Sequence, residues 1–135
     1  MNKITAITRR DIFDLLEIGV VEEESESKYS YFSMREEEVD FLGRLFDLDS
    51  LPSTDSRFKN ARGDIWQHTV NNYDWEGMWV KEDSRFLRGC SDETLLNFLA
   101  ELFHPVVRND KLPWRKLLEV LNDLLKADGF ELIET

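Results

Sequence analysis

The sequence predicts a mainly α fold: a compact single-domain helical bundle of about four to five helices, with long irregular loops and at most a small β element. Three observations predict it. The 135 residues fit one domain and would cramp two. A hydrophobic share of 41% and an aromatic share of 12% supply enough apolar surface to exclude global disorder. Leucine- and phenylalanine-rich stretches repeat their apolar residues at helical spacing, several of them behind capping signals.

The first helix is expected to open at Thr8, with Asp11 as its capping-box partner and Ile7 and Ile12 spaced for a hydrophobic staple. Its apolar stripe is Ile12, Leu15 and Leu16, and Gly19 suits a left-handed stop. Val20 and Val21 then give way to the acidic run Glu22, Glu23, Glu24, Ser25, Glu26, Ser27, which reads as a solvated loop. Ser33 and Glu36 form a second capping box. They open a helix expected from Met34 to Phe46, with Val39, Phe41, Leu42, Leu45 and Phe46 at helical spacing.

Turn formers crowd Asp47 to Asn60, so that stretch should be irregular, and a short helix is expected from near Asp64 to Asn71. Ser91, Asp92 and Glu93 begin the strongest helix, which carries Leu95, Leu96, Phe98, Leu99, Leu102 and Phe103 and ends by Pro105. The last helix carries Trp114, Leu117, Leu118, Leu121, Leu124 and Leu125 and stops at Asp128 and Gly129. Phe130 to Ile133 reads as a strand, to pair with Val20 and Val21 or with Trp79 and Val80.

Charge narrows the function classes. Seventeen Lys and Arg against 28 Asp and Glu leave a net charge of -11, the wrong sign for gripping a phosphate backbone over a broad surface. Nucleic acid would need a local basic site. The single cysteine, Cys90, cannot form an intramolecular disulfide, and neither a leader nor a long apolar run is visible. The chain is therefore expected to be cytoplasmic, with no membrane segment.

Two features stand out. Asp55, Ser56, Arg57, Phe58 recurs as Asp83, Ser84, Arg85, Phe86, and each copy is followed at the same distance by an aspartate at a helix start, Asp64 or Asp92. A structural role fits better than chance or catalysis: each Phe anchors a loop, each Arg is held by a nearby carboxylate, and each trailing Asp sits in a first helical turn. The second feature is the block Trp66, Gln67, His68, Asn71, Asn72, Asp74 and Trp75, with Tyr73 inside it and Trp79 beyond. Burying so many polar groups is costly unless they are hydrogen-bonded. The block is therefore either a satisfied network or a binding site, in which the indoles stack a planar ligand and the amides read its edge. It is the expected recognition surface or its immediate support.

Catalytic patterns are weak. His68, Cys90 and His104 are scattered without paired spacing, so no metal is expected, and a Cys90–His pair is only a list of residue types. No glycine-rich phosphate loop exists, and no cofactor is expected. Arg62 and His68 match the loose Arg-x(4–6)-His spacing of HEPN ribonucleases. In such enzymes the histidine moves a proton and the arginine stabilises the phosphorane charge.

The stretch Leu51 to Trp75, LPSTDSRFKNARGDIWQHTVNNYDW, resembles the amino-terminal domain of one class of AbiJ-like abortive-infection proteins of bacteria. The second DSRF, the HPVVR from His104 to Arg108 and the LNDLLKADGFEL from Leu121 to Leu132 extend the resemblance over nearly the whole chain from Thr8. It implies a single domain over residues 1–135, upstream of an effector that is often a HEPN-type nuclease. The chain stops at Thr135 directly after that last block, so it is expected to be an excised domain or a stand-alone relative.

The expected role is a non-enzymatic sensor or interaction domain, regulating or recruiting a carboxy-terminal effector in response to a phage-derived or host trigger. Two alternatives stand beside it. One is a metal-independent ribonuclease using Arg62 and His68. The other is a structural domain that forms a homodimer through an apolar seam on the last helix.

Overall fold

A computed structural model describes residues 2–23, 26–34, 37–75 and 77–134. The protein is mainly α, 48% helical, with six α-helices and a two-stranded sheet among the described residues. Two compact units emerge: Met1–Arg35 with Gly89–Thr135, and Glu36–Arg88.

In the first unit, helix α1 (Ala6–Ile18) packs on α6 (Trp114–Lys126). Ile12 and Leu16 from α1 and Leu117, Leu118, Leu121 and Leu125 from α6 are buried. Full burial is worth about 1.5–3 kcal/mol for each large aliphatic side chain, so these stripes dominate the unit's stability. The four α6 leucines are core residues, and Leu124 on the same helix is half-buried. Helix α5 (Asp92–Leu102) starts where the sequence places it, with the Ser91 hydroxyl accepting from the Thr94 N–H at 3.1 Å. It buries Leu95, Phe98, Leu99 and Leu102. The Phe98 ring stacks on Tyr31, 5.6 Å between centroids, in a 3-10 turn (Tyr31–Met34).

The start of α1 differs from expectation. Its cap is Thr5, three residues before Thr8, because the Asp128 carboxylate accepts from the Thr5 N–H at 2.9 Å and holds the Thr5 hydroxyl at 3.2 Å. That hydroxyl in turn accepts from the Thr8 N–H. Ile7, the expected staple residue, is exposed as a result. Gly19 ends the helix as expected, and the chain enters β1 (Val20–Val21), antiparallel to β2 (Lys28–Tyr29) with Val20 opposite Tyr29. The described part of the acidic run, Glu22, Glu23, Glu26 and Ser27, is the exposed hairpin connection; Glu24 and Ser25 lie outside the described residues.

The expected terminal strand does not form, and β2 is the partner of Val20 and Val21. Phe130–Ile133 is held by a side chain instead. The Asn122 amide donates to the Leu132 carbonyl at 3.0 Å and accepts from the Leu132 N–H at 2.7 Å, supplying both bonds of a ladder position.

The second unit contains α2 (Glu38–Gly43), α3 (Ala61–Trp66), a one-turn π-helix (Gln67–Asn71) and a single-turn helix α4 (Trp79–Glu82). Helix α2 is shorter at both ends than the expected Met34–Phe46; Glu36, one half of the expected capping box, lies outside the described residues. Helix α3 starts three residues before Asp64, because the Asn60 side chain accepts from the Gly63 N–H. Trp79 and Val80, offered as strand partners, form α4.

Gly19 sits at φ 81° and ψ -175°, a region essentially reserved for glycine, and a Cβ there would lie 2.7 Å from the Tyr29 carbonyl oxygen. Gly19→Ala is expected to destabilise the chain by at least about 1–3 kcal/mol, read from the urea unfolding midpoint.

Candidate functional site

The two DSRF copies fold alike. In each, the aspartate carboxylate accepts from the arginine N–H two residues on, at 3.0 Å for Asp55–Arg57 and 2.9 Å for Asp83–Arg85. The guanidinium then returns to the same carboxylate through Nε and Nη2, and lies 5.3 Å from the centroid of the following phenylalanine ring in both copies. The motif is a local turn that satisfies its own charges, as its residue types predict.

Surroundings separate the copies. The Arg85 side chain is 7% exposed, and its Nη1 donates to both oxygens of Asp64 at 3.1 Å and to the Pro52 carbonyl. Asp64, in the first turn of α3, is fully buried and also accepts from the N–H and hydroxyl of Thr54. The Arg57 side chain is 64% exposed, and its own carboxylate faces a histidine.

That histidine is the hub of the polar and aromatic block over residues 66–75. His68 Nδ1 donates to Asp74 Oδ1 at 2.6 Å, and Nε2 lies 3.6 Å from Asp55 Oδ2. Its ring stacks on Trp75, 4.6 Å between centroids and 12° from parallel. Its backbone carbonyl accepts from the N–H groups of both Asp74 and Trp75. From Trp75 the aromatic contacts continue through Trp79 and Phe86 to Phe46, with centroids 4.8, 5.8 and 5.0 Å apart. The π-turn is closed by the Asn72 N–H on the Gln67 carbonyl and by the Thr69 hydroxyl on the Ile65 carbonyl.

Around this lock the block divides. His68 and Trp75 are half-buried, whereas Trp66, Asn71, Asn72, Tyr73 and Asp74 are exposed. The block thus joins a half-buried network around His68 to exposed aromatic and amide groups. The Gln67, Asn71 and Asn72 amides make no hydrogen bond among the described residues, and so remain available to a partner. Tyr73 takes φ 53°, the left-handed region, which costs a non-glycine residue on the order of 1 kcal/mol or more. Asparagine tolerates that region best, yet Asn72 is right-handed and the tyrosine bears the strain. Tyr73, Asp55 and Arg57 were not among the predicted site residues. The repeat marked the latter two, as structure; the sequence placed the tyrosine inside the block without assigning it a role.

The structure engages Arg62 and His68 separately. Arg62 Nε donates to Asp49 at 2.8 Å, while His68 is held by Asp74 and faces Asp55. Cys90 takes an Arg9 contact at 3.5 Å, and His104 accepts from the Val106 N–H. Among the described residues, no three His, Cys, Asp or Glu side chains are grouped to hold a metal, and no helix is long and apolar enough to cross a membrane. In the other unit a cleft of about 260 Å³ lies beside Glu22, Lys111, Trp114 and Arg115; no predicted site residue lines it.

The model of the family described as AbiJ N-terminal domain 3 matches residues 3–135. The chain belongs to this family. An AbiJ N-terminal domain is a component of abortive-infection systems and part of a multidomain protein. No curated protein and no solved structure matches the chain. In this AbiJ domain the first family-like stretch, Leu51 to Trp75, carries the exposed DSRF turn, the π-turn and the His68 lock together.

Two outcomes follow from the paired turns. Arg85→Ala strands the buried Asp64 charge and should cost about 3 kcal/mol or more in urea unfolding, whereas Arg57→Ala, at an exposed pair, should cost no more than about a third of that. The Arg57 guanidinium and N–H, with a smaller contribution from His68, hold the Asp55 carboxyl well below its ordinary value of 3.8. A depressed carboxylate stabilises the fold above its unfolded pKa, and that contribution is lost as pH falls from 3.8 toward the folded value. Arg57→Gln should therefore make the acid limb of a melting-temperature profile shallower below pH 3.8.

Proposed function

We propose that this AbiJ domain is a non-enzymatic sensor or interaction module, which regulates or recruits a carboxy-terminal effector when a phage-derived or host trigger engages the face formed by residues 66–75. The observation that carries this reading is the combination of exposed Trp66 and Tyr73 and unpartnered amides at Gln67, Asn71 and Asn72 with a rigid support beneath them. Recognition favours such an arrangement, because a backbone fixed before binding loses little entropy on contact.

Within this face His68, Asp74 and Trp75 act as the support, and Trp66, Gln67, Asn71 and Asn72 as the contacting groups. The ribonuclease reading is less well served, since phosphoryl chemistry needs Arg62 and His68 on one scissile phosphate and each is engaged with its own carboxylate.

The test is phage plating on cells carrying the full-length protein with its effector. Asn72→Ala should reduce defence by at least about tenfold while stability stays within about 0.5 kcal/mol of the parent. Asp74→Ala should lower both, because it removes the His68 partner. Full defence by a folded Asn72→Ala protein would refute the reading. Cleavage of total RNA in EDTA that is lost with His68→Ala would replace it with the nuclease.

A further inference from the structure

The unit that holds α1, α5 and α6 carries its chain out along a fixed line. After α6 the Phe130 N–H bonds to the Leu125 carbonyl, buried Leu132 places its N–H and carbonyl on the Asn122 amide, and Glu134 Oε1 accepts from Arg115 Nη2 at 3.0 Å. The partners step backward through α6, from residue 125 to 122 to 115. The tail therefore runs antiparallel to α6 and points at the start of that helix.

A cleft of about 260 Å³ lies at that end, between Glu22, Asp110, Lys111 and Arg115, with Trp114 in its wall. The Arg115 guanidinium, 4.4 Å from the Trp114 ring centroid, lines the cleft and also holds Glu134, so a segment that follows Glu134 starts beside it. Small-molecule sites usually span roughly 300–1,000 Å³ and are mostly apolar. This cleft is smaller and sets two carboxylates against two cations, which selects neither an anion nor a cation alone. Polypeptide matches such a lining, because each residue other than proline brings both an N–H and a carbonyl. Lys111 and Glu22 are exposed, and their charged groups have no partner among the described residues.

An AbiJ N-terminal domain is part of a multidomain protein, so polypeptide leads from this unit to the next domain. We infer that the cleft at the start of α6 receives that linker, with Lys111 donating to its carbonyl or carboxylate oxygens and Glu22 accepting from its N–H groups. This rests on the effector named in the proposed function, and not on the face over residues 66–75. It gives that effector a fixed point of attachment, on the helix that packs against α1.

The first experiment compares amide hydrogen exchange in the full-length protein and in the 135-residue chain. Residues 108–117 should exchange at least about fivefold more slowly in the full-length protein, while α5 is unchanged. Lys111→Glu should weaken that protection at least about threefold and melt as the parent does; Lys126→Glu, the same charge change at the far end of α6, should leave it in place. The second experiment is disulfide trapping in full-length protein with Cys90→Ser. Lys111→Cys should form an intramolecular disulfide with a cysteine placed in the first ten or so residues after residue 135, since bridging needs Cα atoms within about 7 Å.

Equal exchange of residues 108–117 in the two chains would overturn the inference. Disulfides formed only between two molecules would assign the cleft to a second copy, and disulfides formed only with the body of the effector would assign it to that domain; either overturns the linker. Exchange is read without a trigger, so Asn72→Ala should not alter it. Intact defence by Asn72→Ala with residues 108–117 protected would remove the recognition face and keep the docked linker. Lost defence by Asn72→Ala with these residues unprotected would do the reverse.

Discussion

A carboxylate with no exposed surface organises the Glu36–Arg88 unit. Asp64 can remain there only because Arg85 and Thr54 occupy its oxygens, and the partners come from separate stretches of chain. One charge thereby ties the 52–54 loop, the first turn of α3 and the 83–86 turn together. A hydrophobic contact would tolerate small slippage among these segments, whereas an ion pair out of water does not. The π-turn and the 74–75 loop build on the helix that Asp64 anchors, so the geometry of residues 66–75 depends on this interaction.

The DSRF turn shows how one local device serves two ends. Aspartate, arginine and phenylalanine at this spacing close the same turn in both copies, because each bond runs between residues two or three apart. What each copy contributes depends on the direction of the spare guanidinium nitrogen. Arg85 turns it onto a buried carboxylate and becomes structural; Arg57 leaves its side chain in solvent beside the His68 lock. In the other unit Asp92, which trails the second copy, takes the Ile4 N–H and the Arg9 guanidinium, the same kind of segment-to-segment tie that Asp64 makes.

The proposed recognition face joins rigidity and exposure. His68 is held by its ring, by one nitrogen and by its carbonyl, so the chain on either side of Tyr73 has little freedom, while the tyrosine, the two asparagines and Trp66 meet water. On the sensor reading proposed above, a backbone arranged before a trigger arrives reduces the entropy lost on contact. The left-handed tyrosine is the local cost of that arrangement.

The helical stripes, the Ser91 cap, the Gly19 and Gly129 stops and the family blocks were legible in the sequence, because period, capping and turn chemistry act between residues a few positions apart. The DSRF turns were legible for the same reason. Elsewhere, distant partners decided. Thr5 displaced Thr8 as a cap because Asp128 reaches it; Phe130–Ile133 stayed out of the sheet because Asn122 supplies its bonds; and the sheet formed instead as a hairpin around the acidic run. In the site, the sequence marked the polar and aromatic block, but which members face solvent followed from the His68 contacts with Asp74, Asp55 and Trp75. Local sequence determined which residues form turns and helices; tertiary structure decided which carboxylate each cation and each free N–H would find, since those choices span tens of residues that no short-range pattern connects.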